Sequence, residues 1–122
     1  MLRQDNHRRS RLQEARAAKD YNGKRTPGSG NQWFKKGDVI SQDYLVECKT
    51  TIKASYSLKA EDLSKHWRQT LAENPLLMPV FEVEFSEHGV TCIVLDKHDF
   101  MELVNHMKDL QEGERIMDGL KT

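Results

Sequence analysis

The chain has 122 residues, 37% hydrophobic and 31% charged, which suits one globular domain with a single core and leaves too little for two. Its zero net charge hides a polarity, because residues 1–36 hold ten Lys/Arg against three Asp/Glu and the remainder nine against sixteen. A basic first third is the footprint of a polyanion partner, and no apolar run approaches the ~18 residues of a membrane helix, so a membrane partner is excluded.

Met1-Leu2-Arg3-Gln4-Asp5 contains no apolar signal core, so the expected location is cytoplasmic and reducing, and Cys48 and Cys92 read as free thiols. Residues 2–20 lack Pro and Gly and are rich in Arg, Gln, Glu and Ala, which predicts a helix with a thin apolar stripe of Leu2, Leu12, Ala15 and Ala18. Glu14, among Arg11, Arg16 and Lys19, is either an ion-pairing surface residue or a carboxylate aimed at a site further along. Tyr21 to Asn31 gathers Gly, Pro, Asn and Ser and predicts a loop. Lys24 and Arg25, with Lys35 and Lys36 beyond Trp33-Phe34, make a basic rim able to follow a phosphate backbone. Trp33 and Phe34 themselves read as core.

The stretch Asp38 to Lys49 organises the rest. Gly37-Asp38-Val39-Ile40 predicts a short strand, Ser41-Gln42-Asp43 a turn, and Tyr44 to Lys49 a return strand. Side chains alternate along a strand, so Glu47 and Lys49 share one face and Val46 and Cys48 the other. Two carboxylates, Asp38 and Glu47, then converge beside one lysine. The plain alternative is a surface ion pair on an edge strand, since an acid-x-Lys triplet is common by chance.

Thr50 to Ser57 leans towards a third strand ending near Tyr56. Ala60 to Asn74 predicts a helix, with Glu61 and Asp62 at its start, Leu63, Trp67 and Leu71 as its apolar positions, Pro75 as its stop, and Lys65 and Gln69 on the other face. Leu76 to Phe85 and Val90 to Leu95, joined by Ser86-Glu87-His88-Gly89, predict a hairpin of two buried strands. Asp96 is a predicted N-cap for a helix whose Phe100, Leu103, Val104, Met107 and Leu110 form an apolar face that must pack on the sheet or on a partner. The tail from Glu112 predicts fraying or disorder. Most of His66, His88, His98 and His106 read as surface residues; His98 and Glu102 have ligand-pair spacing but no third ligand.

Phosphodiester hydrolysis needs a nucleophilic water, neutralisation of the scissile phosphate and help for the leaving oxygen, and carboxylate-held Mg²⁺ supplies all three. Asp38 and Glu47 are the candidate metal ligands, with the backbone carbonyl of Cys48 beside them and Mn²⁺ as a substitute ion. Lys49 would contact the water or stabilise developing charge.

The order of a helical acid, a basic Gly-Ser loop, a strand-opening Asp and Glu-x-Lys on the next strand resembles the PD-(D/E)XK nuclease superfamily, most of all the archaeal and phage Holliday-junction resolvases. Glu14, Arg25 with Gly28-Ser29-Gly30, Asp38-Val39 and Glu47-Cys48-Lys49 carry that resemblance, which covers about residues 10–85; Gly37 stands where the pattern has Pro. It implies an α/β fold with a restriction-endonuclease-like core, a central mixed β-sheet flanked by α-helices. Residues 1–122 would form a single nuclease domain, with a basic helix and loop over 1–36, a catalytic core over 37–95 and a C-terminal helix and tail over 96–122. It also implies Mg²⁺-dependent cleavage of branched DNA by a homodimer, intracellular or phage-encoded. Glu14 would join the catalytic acids, Ser29 would touch phosphate or metal-bound water, and Lys65 or Gln69 would be an accessory group facing the site. Two other readings remain: another nuclease on the same core, of phage-repair or restriction type, and a nucleic-acid-binding module in which Asp38, Glu47 and Lys49 are only structural.

Overall fold

A computed structural model describes residues 2–26 and 38–121. Its elements run α1 (Leu2–Asp20), β1 (Lys24–Arg25), β2 (Val39–Ile40), β3 (Tyr44–Thr51), α2 (Ala60–Glu73), β4 (Met78–Phe85), β5 (Val90–Val94) and α3 (Lys97–Lys121). The five strands form one sheet in sequence order, antiparallel except for the β3–β4 pair, which is parallel and joined through α2. The fold is therefore α/β, a mixed sheet with helices against it, and among the described residues no helix is long and apolar enough to cross a membrane.

Helix α1 ends where the sequence stops favouring it. Asn22 takes φ +53°, Gly23 N–H donates to Ala18 O and Asn22 N–H to Lys19 O, the paired bonds of a Schellman ending. Gly23 is needed for a close approach, since a Cβ there would lie 2.5 Å from Ile40 O. This contact lays the end of α1 against β2.

The inward face of α1 is not the stripe its leucines suggest. Leu12 is 48% exposed, whereas Gln13 and Ala17 are buried. Ala17 packs with Val39, Val46 and Val80, and its small side chain lets the helix come close to the sheet. Gln13 is tolerated there because its Nε2 donates to Lys49 O at 3.0 Å and Glu82 O at 3.4 Å, satisfying its buried N–H groups.

On β3 and β4 the pleat sorts residues as expected. Val46, Cys48, Val80, Glu82 and Glu84 belong to the α1 side, and Leu45, Glu47, Lys49, Phe81 and Val83 to the α2 side. Glu84 is held by Arg16 and by Thr50 Oγ1. Helix α2 buries His66 and Thr70, while Leu71, an expected apolar contact, is exposed.

Three further expectations differ. Strand β3 ends at Thr51, and the polar residues that follow are irregular as far as α2 rather than a third strand. Strand β5 is largely exposed, and among the described residues no helix makes extended contact with it. Helix α3 continues without a break past Gly113 and Gly119 to Lys121, where fraying was expected.

Candidate active site

The site lies where β2 runs out. The β2–β3 register pairs Val39 with Val46, so one step further Asp38 falls opposite Glu47. Asp38 N–H still donates to Val46 O, at 2.8 Å, but its side chain takes over the next rung: Oδ2 accepts the Cys48 N–H at 2.8 Å. A residue's N–H and C=O point the same way across an antiparallel pair, so the Cys48 carbonyl faces the same open edge.

Glu47 sits between unlike neighbours. Its Oε1 is 3.5 Å from Lys49 Nζ, and its Oε2 is 4.0 Å from His66 Nδ1. Burial first, and then the Asp38 carboxylate, push the Glu47 carboxyl up to about 7, with Lys49 opposing, and the protonated form donates to Asp38. Burial pulls the Lys49 ammonium down, but Glu47 and then Tyr56 and Asp38 outweigh it, so its pKa lies above the ordinary lysine value. Lys49 is thus a fixed cation at neutral pH, a donor rather than a base.

Glu14 reaches the same field from α1. Burial and then Asp38 raise its carboxyl pKa, against the opposing charge of Arg25, whose Nε stands 3.3 Å from Glu14 Oε1. The helical acid and both strand acids are therefore coupled electrostatically, with Asp38 common to both other carboxylates. Arg25, expected on the phosphate-following rim, is exposed on β1 beside Lys24 and also pairs with Glu14. Ser29, Lys35 and Lys36, and likewise Trp33 and Phe34, lie outside the described residues.

From α2, the side chain that reaches the site is His66, one of the histidines expected mostly at the surface. Its Nε2 lies 3.1 Å from Leu45 O and 3.0 Å from Val80 O. Both are acceptors, so Nε2 carries the proton and Nδ1 presents a lone pair. Burial lowers the His66 pKa, against those two backbone bonds, and the ring is neutral. Its Nδ1 is buried without a hydrogen-bond partner and faces Glu47. Lys65 is exposed and Gln69 half-buried, and neither makes a described hydrogen bond or ion pair with Asp38, Glu47 or Lys49. The signal for His66 was positional: 63, 66, 67 and 70 share one helical face.

Among the described residues, no three His, Cys, Asp or Glu side chains stand close enough to enclose an ion. The donor set on the open edge is nonetheless all oxygen: Asp38, Glu47 and the Cys48 carbonyl. Such a set fits a hard cation that keeps several of its waters, Mg²⁺ or Mn²⁺. The raised Glu47 pKa is the electrostatic strain that such a cation would relieve. The Cys48 thiol is turned to the other face, where it donates to Glu82 Oε2 at 3.8 Å, and burial drives its pKa up, so it is inert as a thiolate ligand. Compared with family models, curated proteins and solved structures, the chain finds no match.

Proposed function

We propose that this protein is a metal-dependent DNA endonuclease of the PD-(D/E)XK kind, acting on branched DNA as a homodimer in the manner of a Holliday-junction resolvase. The observation that carries the reading is the meeting of Asp38 and Glu47, from separate strands, beside a lysine held cationic. A divalent cation bound there would supply charge neutralisation at the scissile phosphate and a more acidic water. Asp38, Glu47 and the Cys48 carbonyl would hold it. Lys49 donates to a phosphate oxygen or to the attacking water, stabilising negative charge as it develops. Glu14 adds a third carboxylate at the edge, and its bond to Arg25 ties the basic β1 strand to the site. Lys24 and the basic residues that follow would bind the DNA backbone.

The experiment is cleavage of a synthetic four-way junction, a flap and a linear duplex by the purified chain in Mg²⁺. Preferential cutting of the junction, lost in Glu47→Ala and reduced by a factor of about 10² to 10³ in Lys49→Ala, is the expected result. Binding of all three DNAs with no cleavage would overturn the enzyme reading in favour of a binding module. Cutting of linear duplex as fast as junction would keep the chemistry and overturn the substrate.

A further inference from the structure

Helix α3 stands apart from the rest of the chain: the elements in extended contact are the strands, α1 and α2. Yet Phe100, Leu103, Met107, Leu110 and Met117 on it are each at least a third exposed. They follow alternating steps of three and four, the heptad spacing of a helix–helix seam, with Glu114 at the one interrupted position. A helix of 25 residues carrying two glycines and an unburied stripe is marginal in water, and packing of that stripe is what makes such helices stable. On this face Asp109, Leu110, Gly113, Glu114, Met117 and Asp118 line an open hollow of about 490 Å³. Leu110, Gly113, Glu114 and Met117 stand in the i, i+3, i+4, i+7 pattern of the hole into which a facing helix places one side chain. Gly113 faces open space there, with nothing within 4 Å of where a Cβ would stand.

We infer that α3 pairs with α3 of a second copy of this chain, antiparallel, with Met107 of each level with Leu110 of the other. The charges select this orientation. Parallel pairing would set Glu114 against Glu114 along the seam. In the antiparallel register Phe100 lies level with Met117, Leu103 enters the hollow beside Gly113, and Lys97, level with Leu120, comes within a turn of Asp118 on the same side of the seam. Glu114 then directs its carboxylate out past Gly113 to water. The two-fold pairing leaves no unmatched surface that would propagate into a fibre. This rests on the dimeric part of the reading above and is independent of the chemistry.

The test uses the full chain. Light scattering is expected to give a dimer, and Leu110→Glu, a change on an exposed helix face, is expected to weaken association about a hundredfold or more. In a Cys92→Ser background, Leu103→Cys with Glu114→Cys in one chain is expected to oxidise to a covalent dimer, and either cysteine alone is not. A monomeric wild type overturns both the pairing and the dimeric reading. A dimer that survives Leu110→Glu overturns the α3 surface and spares the dimer. Cross-linking by the single cysteines, the mark of parallel pairing, or none by the double, overturns the antiparallel register.

Discussion

Glu47→Gln separates the cost of a buried charge from its use. Burial and then Asp38 push the Glu47 carboxyl up to about 7 in the folded chain from its ordinary 4.5. The full shift corresponds to about 3 kcal/mol at about 1.4 kcal/mol per unit. Solvent reaches the side chain, which is 22% exposed, so on the order of 1–2 kcal/mol is the expected effect. The sign follows from proton binding. Between about 4.5 and 7 the folded chain holds a proton on Glu47 that the unfolded chain has released, so stability falls as pH rises through that window and stays lowered above it. Glutamine removes the charge and keeps the shape. In urea melts with chelator present, Glu47→Gln should be more stable than wild type at about pH 8, and the difference should vanish near pH 4, where both side chains are neutral. Adding Mg²⁺ should then stabilise wild type and leave the variant unmoved, with weaker binding by wild type below about pH 7 as protons compete with the ion. A Glu47→Gln stability difference that is the same at both pH values would refute the buried-carboxylate account. A variant less stable than wild type at pH 8 would mean that the Lys49 pair outweighs burial.

Two structural predictions bear on how the site is held. Gly23→Ala should cost about 1–3 kcal/mol in a urea melt, because its Cβ would lie 2.5 Å from Ile40 O and must push β2 away from α1; cleavage and Mg²⁺ affinity should fall with it, since β2 carries Asp38 into place. His66→Leu should cost about 1–3 kcal/mol by leaving Leu45 O and Val80 O without that donor; a melt unchanged within error would show that those carbonyls do not depend on the imidazole.

Much of this arrangement was legible from residue order because it depends on local rules. A Pro- and Gly-free run ending in Asn22-Gly23 predicts α1, and alternation alone puts Glu47 and Lys49 on one face. What was not legible depends on partners distant in the chain. Leu12 faces out and Gln13 faces in because a side-chain amide could satisfy Lys49 O and Glu82 O, and no hydropathy pattern contains those carbonyls. His66 reads as polar until two strands supply acceptors for one ring nitrogen. The apolar face of α3 was evident, but whether it met the sheet or a partner was a question of where the helix lay, and it makes no extended contact with the sheet.

The shortness of β2 explains why these particular groups meet. A longer strand would continue the ladder past Val39, place a backbone carbonyl where Asp38 Oδ2 now accepts the Cys48 N–H, and close the edge. Among the described residues the β2–β3 ladder ends at Asp38, whose N–H still reaches Val46 O, and the next N–H of β3, that of Cys48, is satisfied by the Asp38 side chain. Asp38 at this strand end interacts both with Glu14 on one side of the sheet and with Glu47 on the other. Three carboxylates that a continuous sheet would keep on separate faces thus share one field. Burial first, and then that field, raise Glu47 and Glu14, while Glu47, Tyr56 and Asp38 hold Lys49 charged against its burial, so the place where β2 ends is also what gathers the candidate catalytic groups.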